Sequence, residues 1–165
     1  MNNIPNFLNF FKEGLEFKDG VYISVKPNKE TETKLKEYQE KYLKEIKDID
    51  INKKLHCTLI YSKKIHQGQI KTNENKYNCS FKSFNKFGED SDILVLELDS
   101  KDLVNRNNEL VQDYDFISDF DEYSPHITLG YNCKNLDISK LPKIDFEIVL
   151  ENEVVDNLDL DWTSK

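Results

Sequence analysis

A chain of 165 residues, 38% of them hydrophobic, has enough material to bury a real core within one soluble domain. Its net charge of −8 and its one arginine, Arg106, argue against a protein that grips long RNA or DNA through many phosphate contacts. It has no twenty-residue apolar run and no basic, continuously apolar leader, so no membrane span or signal peptide is expected and the cytoplasm is the expected compartment.

In chain order, Phe7, Leu8, Phe10, Phe11, Leu15 and Phe17 suit a short amphipathic helix packed on the body. A membrane-surface role is the weaker rival, because only Lys12 and Lys18 could meet lipid headgroups. Val21–Val25 is expected to form a strand. It leads into a helix with Leu35, Tyr38, Tyr42, Leu43 and Ile46 at helical spacing, for which Thr31 with Glu32 after Pro27-Asn28 is the N-cap signal. A strand follows at His56, then Lys63-Lys64, a local basic patch or simply a solvated face, and His66 in a loop. The Asn-rich stretch from Gln69 to Gly88 alternates weakly and predicts a β-hairpin.

Ile93–Leu98 predicts a strand, Ser100 with Asp102 a helix start, and Leu103, Val104, Leu110 and Val111 the apolar stripe of that helix. Asp119, Asp121 and Glu122 suit a turn before the strand at His126. Phe146 to Leu150 and Glu153 to Val155 then predict a closing hairpin around Asn152, with Leu158, Leu160 and Trp162 alternating with Asp159 and Asp161 on a last strand. The three cysteines, Cys57, Cys79 and Cys133, are far apart, which speaks against a disulfide framework or a zinc site, and Cys57 reads as a small core residue.

One phrase occurs twice. Leu55-His56-Cys57-Thr58-Leu59-Ile60-Tyr61 returns as Pro125-His126-Ile127-Thr128-Leu129-Gly130-Tyr131. Both copies alternate polar with apolar residues, so each strand presents an imidazole and a hydroxyl on one face. A single His-x-Thr carries little information. Two of three histidines having Thr two places on is a coincidence of roughly 0.4%, with six threonines in the chain. The context repeats as well, since the preceding strand begins 35 residues before His56 and 33 before His126. The expected architecture is therefore α+β. Two strand-helix-strand lobes, about 20–68 and 90–135 with closing strands to 162, are related by a pseudo-twofold axis within a single domain, with antiparallel sheets lining a central cleft and helices outside.

Imidazole can take a proton in one step and return it in the next near neutral pH. Two histidines across a cleft supply a base and an acid on opposite sides of one reacting centre. Threonine hydroxyls beside them can donate hydrogen bonds to the non-bridging oxygens of a phosphate. That set suits in-line displacement at phosphorus in a compact anionic substrate and requires no metal or other cofactor.

Paired His-x-Thr strands in a duplicated domain of this length resemble the two-histidine phosphoesterases, and the likeness is nearest to the phage anti-CBASS proteins, nucleases that destroy the cyclic oligonucleotide alarms of bacterial immunity. It runs from about Val21 onward. Its residues are Gly20-Val21-Tyr22, His56 to Ser62, Phe87-Gly88 before Leu94-Val95-Leu96, Tyr123 to Leu129, and Leu158-Asp159-Leu160-Asp161-Trp162. The resemblance implies that His56, Thr58, His126 and Thr128 are catalytic. It also implies that Tyr22, Phe87, Asp156 and Trp162 hold the nucleotide, with Phe87 standing in for a tryptophan and Asp156 for a glutamate. The implied reaction is metal-independent cleavage of 3′,5′ bonds in cyclic di- and trinucleotides, the ribose 2′-hydroxyl attacking to give a 2′,3′-cyclic phosphate. The alternatives are action on RNA ends or 2′,5′-linked oligonucleotides, a sponge that binds the messenger without cutting it, and a purely structural repeat.

Overall fold

A computed structural model describes residues 16–118 and 122–159. The strands are β1 (Glu16–Phe17), β2 (Val21–Pro27), β3 (Asp50–Ile51), β4 (Cys57–Ser62), β5 (His66–Gln67), β6 (Tyr77–Phe87), β7 (Ile93–Asp99), β8 (His126–Tyr131) and β9 (Ile148–Asn157). The α-helices are α1 (Lys29–Tyr42), between β2 and β3, and α2 (Lys101–Tyr114), between β7 and β8. Among the described residues no helix is long and apolar enough to cross a membrane.

Seven strands form one antiparallel sheet in the order β3-β8-β4-β2-β9-β6-β7, and β7 pairs in turn with β8. Six strands thus close into a ring, with β3 as a branch beside the end of β8. The ring has a twofold topology in which β2-α1-β4 corresponds to β7-α2-β8, and β9 to β6. Each repeat is a strand-helix-strand-strand unit whose last strand crosses to the other repeat: β6 follows β4 but pairs along β7, and β9 follows β8 but pairs along β2. The α+β, two-lobed architecture expected from the repeat is the one observed.

Alternation along the strands sorts the side chains. Val21, Ile23, Val25, Cys57, Leu59, Leu94, Leu96, Ile127 and Leu129 are buried together with Leu35, Leu103 and Leu110 of the helices. Residues between them, including Tyr22, Thr58, Glu97 and Thr128, point to the other face and stay half-buried. The single arginine is consumed by the fold. Arg106 on α2 grips Glu153 on β9 through Nε and Nη2, at 3.1 and 2.7 Å, and also donates to the Lys71 carbonyl.

Several local expectations change. The α1 N-cap is Asn28, whose side chain accepts from the Thr31 amide at 2.8 Å, while Thr31 lies buried in the first turn and accepts from the Val149 amide. Ser100 caps α2 as expected, accepting from the Leu103 amide. Gln69–Gly88 is not a hairpin in itself: 68–76 form no regular element, and β6 is one long strand that turns at 88–92 into β7. The closing hairpin is likewise one strand, β9. Asn152, with φ of 59°, sits where the β2–β9 register slips between Ser24 and Lys26, so it marks a bulge and not a turn. Among the described residues the last strand, β9, ends at Asn157, ahead of Leu158. His66 is in β5, paired with β1 and packed among Phe17, Tyr114 and Phe116. Apart from Phe17, which lies in β1, the N-terminal helix expectation falls outside the described residues, as do Asp119, Asp121, Leu160, Asp161 and Trp162.

The two repeats are tied across their boundary by a pair of side-chain amides. Gln39 on α1 donates to the carbonyls of Asn52 and Leu129, both at 2.9 Å, and Asn107 on α2 donates to the carbonyl of Leu59 at 2.7 Å. Leu59 and Leu129 stand three residues after His56 and His126, where β4 and β8 have diverged; the Leu129 carbonyl also accepts from the Asn52 amide at 3.0 Å, and Gln39 adds a second donor there while serving the Asn52 carbonyl. Leaving a buried carbonyl such as that of Asn52 or Leu59 without its amide partner is costly. Gln39→Ala, which also opens a hole, should therefore lower unfolding free energy by about 2–4 kcal/mol in urea titrations. Glu37→Ala on the exposed side of the same helix should stay within about 0.5 kcal/mol. A Gln39 cost no larger than that of Glu37 would show that the tie contributes nothing.

Candidate active site

The strands β4 and β8 meet at one residue pair, Cys57 with Ile127. Both side chains are fully buried, so they face the core. Antiparallel pairing puts directly opposed residues on the same face and their neighbours on the other. His56 and Thr58 on one strand, and His126 and Thr128 on the other, therefore all lie within one residue of the bridge and share the face away from the core. Carrying the register one step each way sets His56 across from Thr128 and Thr58 across from His126. All four are half-buried.

The imidazoles are held alike. Nδ1 of His56 donates to the Lys54 carbonyl at 2.8 Å, and Nδ1 of His126 donates to the Ser124 carbonyl at 2.9 Å. A carbonyl can only accept, so Nδ1 carries the proton in both rings and Nε2 is left free for proton transfer. An aromatic ring stands edge-on to each: Tyr22 is 6.1 Å from His56 between ring centroids, and Phe87 is 4.8 Å from His126.

The threonines differ in support. Tyr22 Oη lies 2.8 Å from Thr58 Oγ1. Burial, chiefly, raises the Tyr22 pKa, which keeps the phenol protonated and able to donate. With Tyr22 donating, the Thr58 hydroxyl proton is released toward the groove. Thr128 pairs in register with Val95, an apolar neighbour. Tyr123, from the segment before β8, donates to the Thr58 carbonyl at 2.8 Å and so fastens that segment to β4.

Of the four residues expected to hold a nucleotide, three lie in the described structure. Tyr22 faces the site, Phe87 caps His126, and Asp156 is exposed on β9 in register with Tyr22. Trp162 lies outside the described residues.

Strict alternation hides two further residues. Between Ile23/Ser24 the β2–β4 register skips from Ile60 to Thr58, and between Leu94/Val95 the β7–β8 register skips from Gly130 to Thr128. Each histidine strand thus carries one extra residue, Leu59 or Leu129, and the bulge reverses the alternation beyond it. Tyr61 and Tyr131, five residues after each histidine, are thereby turned onto the histidine face. Tyr61 packs edge-on against Tyr22 at 6.5 Å, and Tyr131 is close enough to influence its titration. The signal was present as the last letter of the repeated phrase. A third addition is Glu97 on β7, directly opposite His126 in register, with Ser83 Oγ donating to its Oε2 at 2.7 Å.

Burial is the main reason His126 titrates below the ordinary histidine value. The Ser124 carbonyl and Glu97 oppose that shift, and His56 adds to it. His66 is lowered too, first by burial and then by Lys64. In the unfolded chain both titrate near 6.5, so in the interval below that value the unfolded state binds more protons than the folded one. Stability should therefore fall as pH drops through about 6.5. A melting temperature lower at pH 5.5 than at pH 7.5 is the expected reading, and His126→Asn should flatten the difference. An unchanged or higher value at pH 5.5 would contradict it.

The model of the family described as Anti-CBASS protein Acb1 matches residues 19–165. The chain is 30% identical over 156 residues to Anti-CBASS protein Acb1 of Enterobacteria phage T4, covering 90% of this chain and 96% of the relative. It is 29% identical over 148 residues to the protein of the same name from Salmonella phage S16, covering 90% and 94%. The crystal structure of TT0787 of Thermus thermophilus shares the fold, with a TM-score of 0.55 at 14% identity over 82% of this chain and 86% of that one.

Proposed function

The chain belongs to the Anti-CBASS protein Acb1 family, and from that membership we propose that it is a phosphodiesterase that cleaves 3′,5′ bonds of cyclic di- and trinucleotide messengers and so disarms CBASS immunity. The observation that carries the proposal is the mirrored pair of His-x-Thr strands at a single bridge, each imidazole tethered through Nδ1 with Nε2 free.

The chemistry follows from that placement. A ribose 2′-hydroxyl gives its proton to one Nε2 and attacks the adjacent phosphorus. The 5′-oxygen on the opposite side leaves and takes a proton from the other Nε2, and a 2′,3′-cyclic phosphate forms. Thr58 and Thr128 donate to the non-bridging oxygens, where charge accumulates as the bonds change. Holding nucleophile, phosphorus and leaving group in line between two fixed rings removes much of the entropic barrier. Water can then open the cyclic phosphate with the histidine roles exchanged.

Substrate size fits the charge. Arg106 is committed to Glu153, and Lys64 to Asp115 at 2.6 Å, so neither is spare for a long phosphate backbone. Tyr22, Tyr61, Tyr131 and Phe87 offer stacking surfaces for a few bases, each worth about 1–3 kcal/mol where a base lies flat on the ring. Asp156 beside Tyr22 is available to accept from a base or ribose donor.

The deciding experiment is product analysis on cyclic di- and trinucleotides beside a linear RNA. Cleavage to 2′,3′-cyclic phosphate products is expected, and it should persist in EDTA. His56→Ala and His126→Ala should each lower kcat by about 10²–10⁴-fold, and Thr58→Val by about 10²-fold. Unaltered nucleotide recovered from denatured protein would overturn the enzyme reading, and preferential cleavage of linear RNA would overturn the substrate. Independently, a cyclic deoxynucleotide should be inert, and the pH–rate profile should be bell-shaped. Turnover of the deoxy substrate would refute the 2′-hydroxyl as nucleophile.

A further inference from the structure

The two halves of the site repeat in sequence, yet their threonines are supported differently. Ser24 stands opposite Thr58 in the β2–β4 register, and Val95 stands opposite Thr128 in the β7–β8 register. Two residues before each lie Tyr22 on β2 and Ile93 on β7. The place that holds a phenol in the first repeat therefore holds an aliphatic side chain in the second. Tyr22 Oη is 2.8 Å from Thr58 Oγ1, whereas among the described residues the Thr128 hydroxyl has no hydrogen-bond partner.

Tyr22 is itself held in place. Its ring stands edge-on to His56 at 6.1 Å and to Tyr61 at 6.5 Å. The start of its strand is pinned from both sides. The Leu158 amide donates to the Gly20 carbonyl at 3.0 Å, and Gly20, with φ of 114°, lies so close to the Ser62 carbonyl on β4 that a Cβ there would collide with it.

A phosphate oxygen can only accept, and a threonine hydroxyl has one proton to give. When Thr58 donates that proton to a substrate, its contact with Tyr22 is satisfied by the phenol donating to Thr58 Oγ1. We infer that Tyr22 is a positioning residue for the reaction: acting through Thr58, it makes the first repeat a donor aimed in advance at a non-bridging oxygen, while Thr128 in the second repeat adapts to the substrate. The inference rests on the two-histidine reading above and deepens it. A donor fixed before charge develops needs no reorganisation during the reaction, and linked hydrogen bonds polarise one another. No covalent bond of either residue changes: the phenolic proton stays on Tyr22 and the hydroxyl proton on Thr58 while charge grows on the phosphate oxygen. Tyr22 thus serves the chemistry through its hydroxyl, separately from any base that lies on its ring.

The test is a double-mutant cycle read on cleavage of cyclic di- and trinucleotides. Tyr22→Phe removes the hydroxyl and keeps the ring and its packing. It should lower kcat about 10-fold and change KM by less than about 2-fold, and it should leave the affinity for an uncleaved cyclic deoxynucleotide unchanged. In a Thr58→Val background, with Thr58→Ala as a second form of it, the same change should cost less than about 2-fold, because the hydroxyl it orients is gone. In a Thr58→Ser background, and beside Thr128→Val, the full cost should return. A Tyr22→Phe cost that persists without the Thr58 hydroxyl would overturn the inference. So would a cost that falls on KM and on deoxynucleotide affinity in place of kcat. Wild-type protein that cleaves no cyclic nucleotide would overturn the two-histidine reading itself, whereas an active wild type indifferent to Tyr22→Phe would overturn this inference alone.

Discussion

Everything in the site depends on one backbone contact, the pairing of Cys57 with Ile127. A longer ladder between β4 and β8 would flatten the two strands into ordinary neighbours and close the space over the histidines. With no contact, the two imidazoles would belong to separate surfaces. One bridge brings the four side chains of the candidate site into a square and lets the strands part immediately afterwards. The divergence has a cost, because the Leu59 carbonyl is left without a strand partner; Asn107 compensates there, and Gln39 reinforces the Leu129 carbonyl, which the Asn52 amide already reaches.

Those amides also explain why the helices belong to the mechanism of the fold and not only to its core. Gln39 departs from the helix of the first repeat and holds the histidine strand of the second, while Asn107 does the reverse. The bulges at Leu59 and Leu129 occupy the same points. At each point one extra residue bends the strand, turns a tyrosine toward the groove and exposes a carbonyl to the amide. Local irregularity of this kind is retained where a side chain must be aimed.

The duplication, the core face of each histidine strand and the four His-x-Thr positions were legible because they depend only on period-two alternation and on a phrase repeated in matching context. What escaped was everything governed by residues far apart in sequence. β6 and β9 looked like hairpins because Asn-rich stretches mimic turns, but each is a single strand completed by pairing with the other repeat. Asn152 has the backbone conformation of a turn residue and serves in a bulge. Tyr61 and Tyr131 were hidden by an alternation that the bulges break. Glu97 could not be found at all from its own neighbourhood, since an acidic residue in a strand is given meaning only by the histidine opposite.

The exchange of final strands between repeats bears on how the protein comes into being. During synthesis the first repeat emerges with β2 lacking one flank, and that flank, β9, is made only after the second histidine strand. A ribosome-bound chain holding His56 and even His126 thus has an open sheet, and the groove cannot take its shape until β9 has been made as well. Pairing across such a span is slow to nucleate, and it gathers the gain in order into a late, concerted step. The groove would form as a unit once β9 is in place and not build up in proportion to chain length.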